Sequence, residues 1–119
     1  MQMHRERVLV VGGRGFFGRL VVDDLTRNAK CEIAVVGRRE CDLFDPAAVE
    51  RSLDGVRIAI CAAGPFHEMP TTLVEHCLKR GIHYVDLADD RRFVKRVRSL
   101  VSNASPAVCT GWSTSCALT

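Results

Sequence analysis

The sequence predicts an α/β fold: a doubly wound parallel sheet of about six strands with helices on both faces. Three observations carry this expectation. Strand and helix signals alternate along the chain. The strands are short continuous apolar runs, as in strands buried on both faces. The first of them runs directly into a glycine-rich turn that opens a helical pattern.

The first strand is Arg7 to Gly12, built on Val8-Leu9-Val10-Val11. Phe16, Phe17, Leu20, Val21 and Leu25 then recur at helical spacing to about Asn28. Glu32 to Gly37 reads as the second strand, and Cys41-Asp42-Leu43 as a very short third. Asp45-Pro46 has the form of a helix start, with the carboxylate as cap and proline in the first turn, and the helix stops near Gly55. Val56 to Cys61 is the fourth strand, and Ala62-Ala63-Gly64-Pro65-Phe66 a loop of small and rigid residues. A helix opening at Pro70 carries Leu73, Val74, Cys77 and Leu78 on one face, with Gly81 past its end. His83 to Leu87 is the fifth strand. Asp89 or Asp90 caps a helix with Phe93, Val97, Leu100 and Val101 on one face, and Ala107 to Thr110 is the sixth strand.

The chain of 119 residues is one domain, 1–119, with 47% hydrophobic and 26% charged residues, as in soluble globular proteins. A net charge of +3 suits an anionic small ligand and does not call for nucleic acid or a membrane. No apolar run has the length of a membrane span, and the charged N-terminus is not that of a signal peptide. The six cysteines show no Cys-x-x-Cys spacing, so no metal is expected. They read as small buried hydrophobes in a reducing, cytoplasmic setting. Arg91, Arg92, Lys95, Arg96 and Arg98 read as a solvated helix face, since no aromatic platform accompanies them for nucleic acid.

The chemistry is concentrated in Gly12-Gly13-Arg14-Gly15-Phe16-Phe17-Gly18, which contains Gly-x-Gly-x-x-Gly between a strand and a helix. In such a loop one glycine permits the turn, one lets a pyrophosphate approach the main chain, and one lets the helix pack close to the sheet. The helix N-terminus supplies N–H groups and a positive dipole end for phosphate. The reading is a Rossmann-like NAD(P)-binding domain. NAD-binding versions carry an acid at the end of the second strand; here Val36-Gly37-Arg38-Arg39 stands there. A glycine followed by arginine leaves room for, and can hold, a 2′-phosphate, so NADP is expected over NAD. Arg14 could add a second positive charge. A solvated arginine pair is the plainer alternative for Arg38 and Arg39. Glu40 comes late in sequence to replace the missing acid. Asp42 is placed either to meet the adenine amine or to bond its own turn. Ala62, Ala63, Gly64 and Pro65 follow the strand beside the first, at the switch point, and are expected along the nicotinamide half.

Val-Leu-Val-Val-Gly-Gly-x-Gly-Phe-Phe-Gly from Val8, Val-Val-Gly-Arg from Val35, Ala-Ala-Gly-Pro-Phe from Ala62 and His-Tyr-Val-Asp-Leu from His83 occur in that order. Together they resemble the N-terminal NADP-binding domain of the saccharopine dehydrogenase family, over essentially the whole chain. The resemblance implies a pyridine-nucleotide oxidoreductase, with a following domain supplying most of the substrate site. It implies pyrophosphate contacts at Gly13, Gly15, Phe16, Phe17 and Gly18, a 2′-phosphate contact at Arg38, and nicotinamide-side contacts at Ala63, Gly64 and Pro65. For Asp86, a place at the reaction site and a structural role both stay open. Near Cys116 the chain lacks the proline that family members often have.

No general acid or base stands out. His67 is a candidate by location alone, and Tyr84 lacks a lysine four residues on, against short-chain dehydrogenase chemistry. Two readings result. One is the NADP(H)-binding part of an oxidoreductase whose small-molecule substrate is held by a second domain beyond Thr119. The other is a stand-alone NADP(H) sensor or regulatory module. An isolated domain of this kind would expose apolar surface around Trp112 and Leu118, and a homodimer through that end is expected.

Overall fold

The computed structural model describes residues 5–101 and 107–110. The expectations placed on Trp112, Cys116 and Leu118 lie outside them. The elements are β1 (Glu6–Val11), α1 (Phe16–Asn28), β2 (Cys31–Val36), α2 (Pro46–Ser52), β3 (Ile58–Cys61), a 3-10 turn (Phe66–Glu68), α3 (Thr72–Arg80), β4 (His83–Asp86), α4 (Arg91–Val101) and β5 (Val108–Cys109). All strand pairs are parallel, in the order β2-β1-β3-β4-β5.

Register explains which residues form the core. Leu9 pairs with Ala59, Ala59 with Tyr84, and Tyr84 with Val108. Because alternate residues of a strand face opposite ways, this row and the row of Val11, Cys61 and Asp86 lie on one face. There they meet Val49 and Leu53 of the α2 segment, Leu73, Val74 and Cys77 of α3, and Phe93 and Val97 of α4 in one continuous core. Val10 and Val35 face the other side, with Val22 of α1 beside them around Gly13. On that side Ile58, Ile60, His83 and Val85 are only half-buried. Helices therefore cover both faces, three on one and α1 on the other.

The helix starts are as the sequence chemistry requires. The Asp45 carboxylate accepts from the Ala47 N–H at 3.1 Å, and the Asp90 carboxylate from the Phe93 N–H at 3.0 Å. Gly81 ends α3 in the left-handed conformation.

One expected strand does not form. Cys41-Asp42-Leu43 is a turn, so the sheet among the described residues has five strands rather than six. The Cys41 N–H donates to the Gly37 carbonyl and the Asp45 N–H to the Asp42 carbonyl, both at 3.0 Å. The Asp42 carboxylate accepts from the Phe44 N–H, also at 3.0 Å. This local bonding carries the chain straight from β2 into α2, and Cys41 and Leu43 are buried as plugs rather than as strand residues. Of the cysteines, 31, 41, 61 and 77 are free thiols as expected, whereas Cys109 is disulfide-bonded, which the reduced-thiol expectation missed.

Candidate functional site

The chain runs from β1 outward to β2, then crosses back over β1 to β3. This reversal leaves a crevice at the carboxyl ends of β1 and β3, the usual ligand position in open α/β sheets. A cavity of about 440 Å³ opens there. Its wall is drawn from four segments: the loop after β1, the turn after β2, the loop after β3 and the 3-10 turn.

The loop after β1 is wedged between its neighbours. The Gly12 N–H donates to the Val36 carbonyl of β2, and the Ala62 N–H donates to the Val11 carbonyl of β1, both at 2.8 Å. Gly12 has φ of 79°, and an added Cβ would lie 2.7 Å from the Ala63 nitrogen. Only glycine allows both the turn and the contact with the next loop. The Gly15 N–H donates back to the Gly12 carbonyl at 3.0 Å and so closes the turn. At Gly18 a Cβ would stand 1.9 Å from that same carbonyl oxygen, so α1 can pack here only without a side chain.

Of the residues singled out from sequence, Gly12, Arg14, Gly15, Phe16, Phe17, Arg38, Asp42, Ala62, Ala63, Gly64 and Pro65 all line the cavity. Gly13 and Gly18 do not. Both are buried behind the loop, Gly13 against Val35, and they shape the turn rather than its open surface. Arg39 is exposed and also outside the cavity wall. Phe16 and Phe17 stand at the opening with their rings edge to face, 5.1 Å apart, and Phe16 is 71% exposed. The Gly64–Pro65 peptide is cis.

The two arginines of the cavity wall are engaged. Arg38 donates to the Gly64 carbonyl at 2.6 Å, spanning the crevice from the β2 side to the β3 side. Arg14 is ion-paired with Glu40. The Glu40 carboxylate also accepts from the Gly37 N–H at 2.7 Å. Arg14 first, and then this N–H, holds the Glu40 carboxyl below its ordinary pKa. Although late in sequence, Glu40 bends back to place an acid at the end of β2. The turn at residues 38–40, closed by the Cys41 N–H on the Gly37 carbonyl, makes this possible, and the sequence reading gave no sign of it. Glu68, Met69, Cys41 and Leu43 also line the cavity and were not anticipated.

Asp86 is 2% exposed and is not part of the cavity wall. It accepts from the Tyr84 hydroxyl at 2.6 Å, the Ala88 N–H at 3.0 Å and the Thr110 hydroxyl at 2.8 Å. This is a buried polar knot joining β4 to the end of β5, and it favours the structural reading of Asp86. Burial, reinforced by Cys61 and Asp86, pushes the Tyr84 hydroxyl well above its usual pKa. His67 is exposed beside Glu68, at 3.7 Å, and does not face the crevice. No cluster of three or more metal-binding side chains occurs among the described residues, and no described helix is long and apolar enough to cross a membrane.

The fold has solved counterparts. A GDP-L-fucose synthetase from Naegleria fowleri bound to NADP superposes with a TM-score of 0.62 at 19% identity, over 73% of this chain and 32% of that one. A dTDP-4-dehydrorhamnose reductase from Bacillus anthracis in complex with NADP gives 0.58 at 16%, over 71% and 36%. A GDP-mannoheptose C4 reductase from Campylobacter jejuni with NADP bound gives 0.61 at 14%, over 72% and 34%. The fold is Rossmann-like. The chain spans about a third of the length of these structures. No protein-family model and no curated protein matches the sequence. The neighbours share the fold at identities too low to carry a family assignment, and none of the three is a saccharopine dehydrogenase.

Proposed function

We propose that this chain is the NADP(H)-binding domain of an oxidoreductase. The observation that carries the reading is the crevice at the switch point. It is bounded by a glycine turn that admits no Cβ at residue 12, by small residues from Ala62 to Gly64, and by two cations, Arg14 of the loop after β1 and Arg38 just past the end of β2. Its volume falls in the usual range for cofactor sites. The three solved counterparts, each described with NADP, support the choice of cofactor.

In this reading the turn from Gly12 to Phe17 and the first turn of α1 hold the pyrophosphate, where backbone N–H groups and the helix dipole favour negative charge. Arg38 and Arg14 hold the 2′-phosphate. Phe16 and Phe17 flank the opening, and Ala62 to Pro65 border the nicotinamide half. When bound, the cofactor supplies hydride transfer; the protein's part is to orient it and limit water. The substrate contacts come from a further domain, so the isolated chain is expected to bind cofactor without turning over substrate. The finer reading, a saccharopine dehydrogenase-like oxidoreductase, rests on the segments 62–66 and 83–87.

Amide chemical shifts of the isotope-labelled chain during NADPH addition test the site. Saturable shifts at Gly12, Gly15, Ala63 and Gly64, with β5 silent, are expected. Saturable shifts confined to other surfaces would refute the placement.

A further inference from the structure

Glu40 is the acid nearest the end of β2, and its two partners define what it can do. One carboxylate oxygen accepts from the Gly37 N–H at 2.7 Å, and the other pairs with Arg14. Gly37 itself is closely bracketed: a Cβ there would meet Glu40 at 3.1 Å and Arg14 at 3.2 Å. The main-chain N–H at the strand end and the guanidinium beside it are thus gathered onto one anion supplied by the protein. Arg14 also lines the cavity, and Arg38, the next residue after Gly37, reaches across it.

We infer that Glu40 is a specificity-determining residue that stands in for the cofactor's 2′-phosphate and must give up Arg14 when that phosphate enters. The inference rests on the NADP(H) reading above and goes beyond it by naming a competitor within the site. A dianionic phosphate and a carboxylate cannot share one guanidinium at close range without repulsion, and a planar guanidinium can pair bidentately with either. Glu40 is exposed, so the exchange needs only side-chain rotation and no core rearrangement. With NADH, which lacks the phosphate, Glu40 keeps both partners. Its carboxylate therefore lowers the preference for NADP(H) below what the two arginines alone would give.

The residue is distinguishable from an acid that holds a ribose hydroxyl. Such an acid would strengthen NADH binding, and its loss would weaken it. Glu40→Gln is the informative change, because the amide oxygen can still accept from the Gly37 N–H while the charge is gone. Calorimetric titrations of the 119-residue chain with NADPH and with NADH, at fixed ionic strength, should show E40Q binding NADPH on the order of fivefold more tightly, the scale of an exposed ion pair, and NADH nearly unchanged. Combining E40Q with Arg14→Met should abolish the gain, since Arg14 is the group released. Unchanged or weaker NADPH binding by E40Q would overturn the inference and leave the dinucleotide reading intact. A selective loss of NADH affinity would overturn it in favour of a ribose-holding acid. Binding of neither dinucleotide to the parent chain or to E40Q would overturn the dinucleotide reading itself, and the inference with it.

Discussion

Arg38 donates to the Gly64 carbonyl at 2.6 Å, so a side chain from the end of β2 bridges the crevice to the loop after β3. If this guanidinium turns to a 2′-phosphate, the bridge opens when cofactor binds. Arg38→Met should then weaken NADPH binding by roughly 10- to 100-fold, the scale of a hydrogen bond to a charged group, with little change for NADH. The stability of the unliganded chain should hardly change, because the bridge is exposed. Equal losses for both dinucleotides in titration would assign Arg38 to shaping the crevice instead.

Gly12 offers a sharper structural test. A side chain there meets the Ala63 backbone and also needs a left-handed conformation. Gly12→Ala should cost about 1–3 kcal/mol in urea unfolding and should disturb the loop after β3 as well as its own. Amide shifts confined to residues 10–16 would contradict the coupling between the two loops.

The knot around Asp86 predicts a stability effect away from the crevice. Tyr84→Phe removes one donor from a buried carboxylate that keeps Thr110 and Ala88. The expected loss is about 1–3 kcal/mol, with nucleotide affinity intact. A fall in affinity without a fall in stability would place Asp86 in the functional site.

Burial pushes the Cys61 and Cys77 thiols up to about 12, against 9.0 for an ordinary thiol. Both should resist iodoacetamide at pH 8 in the native chain and react in urea. The linkage has a definite sign. The raised folded-state value means that the native state keeps these protons after the unfolded state has released them. Their contribution is complete below about pH 9 and declines as pH rises towards 12. Cys61→Ala with Cys77→Ala should flatten that alkaline decline in urea midpoints measured across the range. An unaltered slope would show that other groups cause it.

Much of this was legible in the sequence because it is local. The run Val8–Val11 into the glycine turn, the Asp45-Pro46 start and Gly81 after α3 each specify backbone conformation within a few residues. The crevice followed from strand order, which the alternating pattern implies. What was not legible depends on side chains reaching across a turn. Cys41-Asp42-Leu43 has a strand's apolar ends, but Asp42 bonds its own turn and the strand is lost. The turn before it, at residues 38–40, brings Glu40 back to Gly37, a contact visible only once the chain path is known. Gly13 and Gly18 share the motif with Gly12, yet they serve packing, because their neighbours are Val35 and the Gly12 carbonyl rather than open space.

The central claim is that the crevice beside the glycine turn holds a dinucleotide carrying a 2′-phosphate. Its most direct test is calorimetric titration of the parent chain with NADPH and NADH at one ionic strength. The account predicts saturable one-to-one binding of NADPH, tighter than that of NADH. Tighter binding of NADH, or no binding of either, would contradict it.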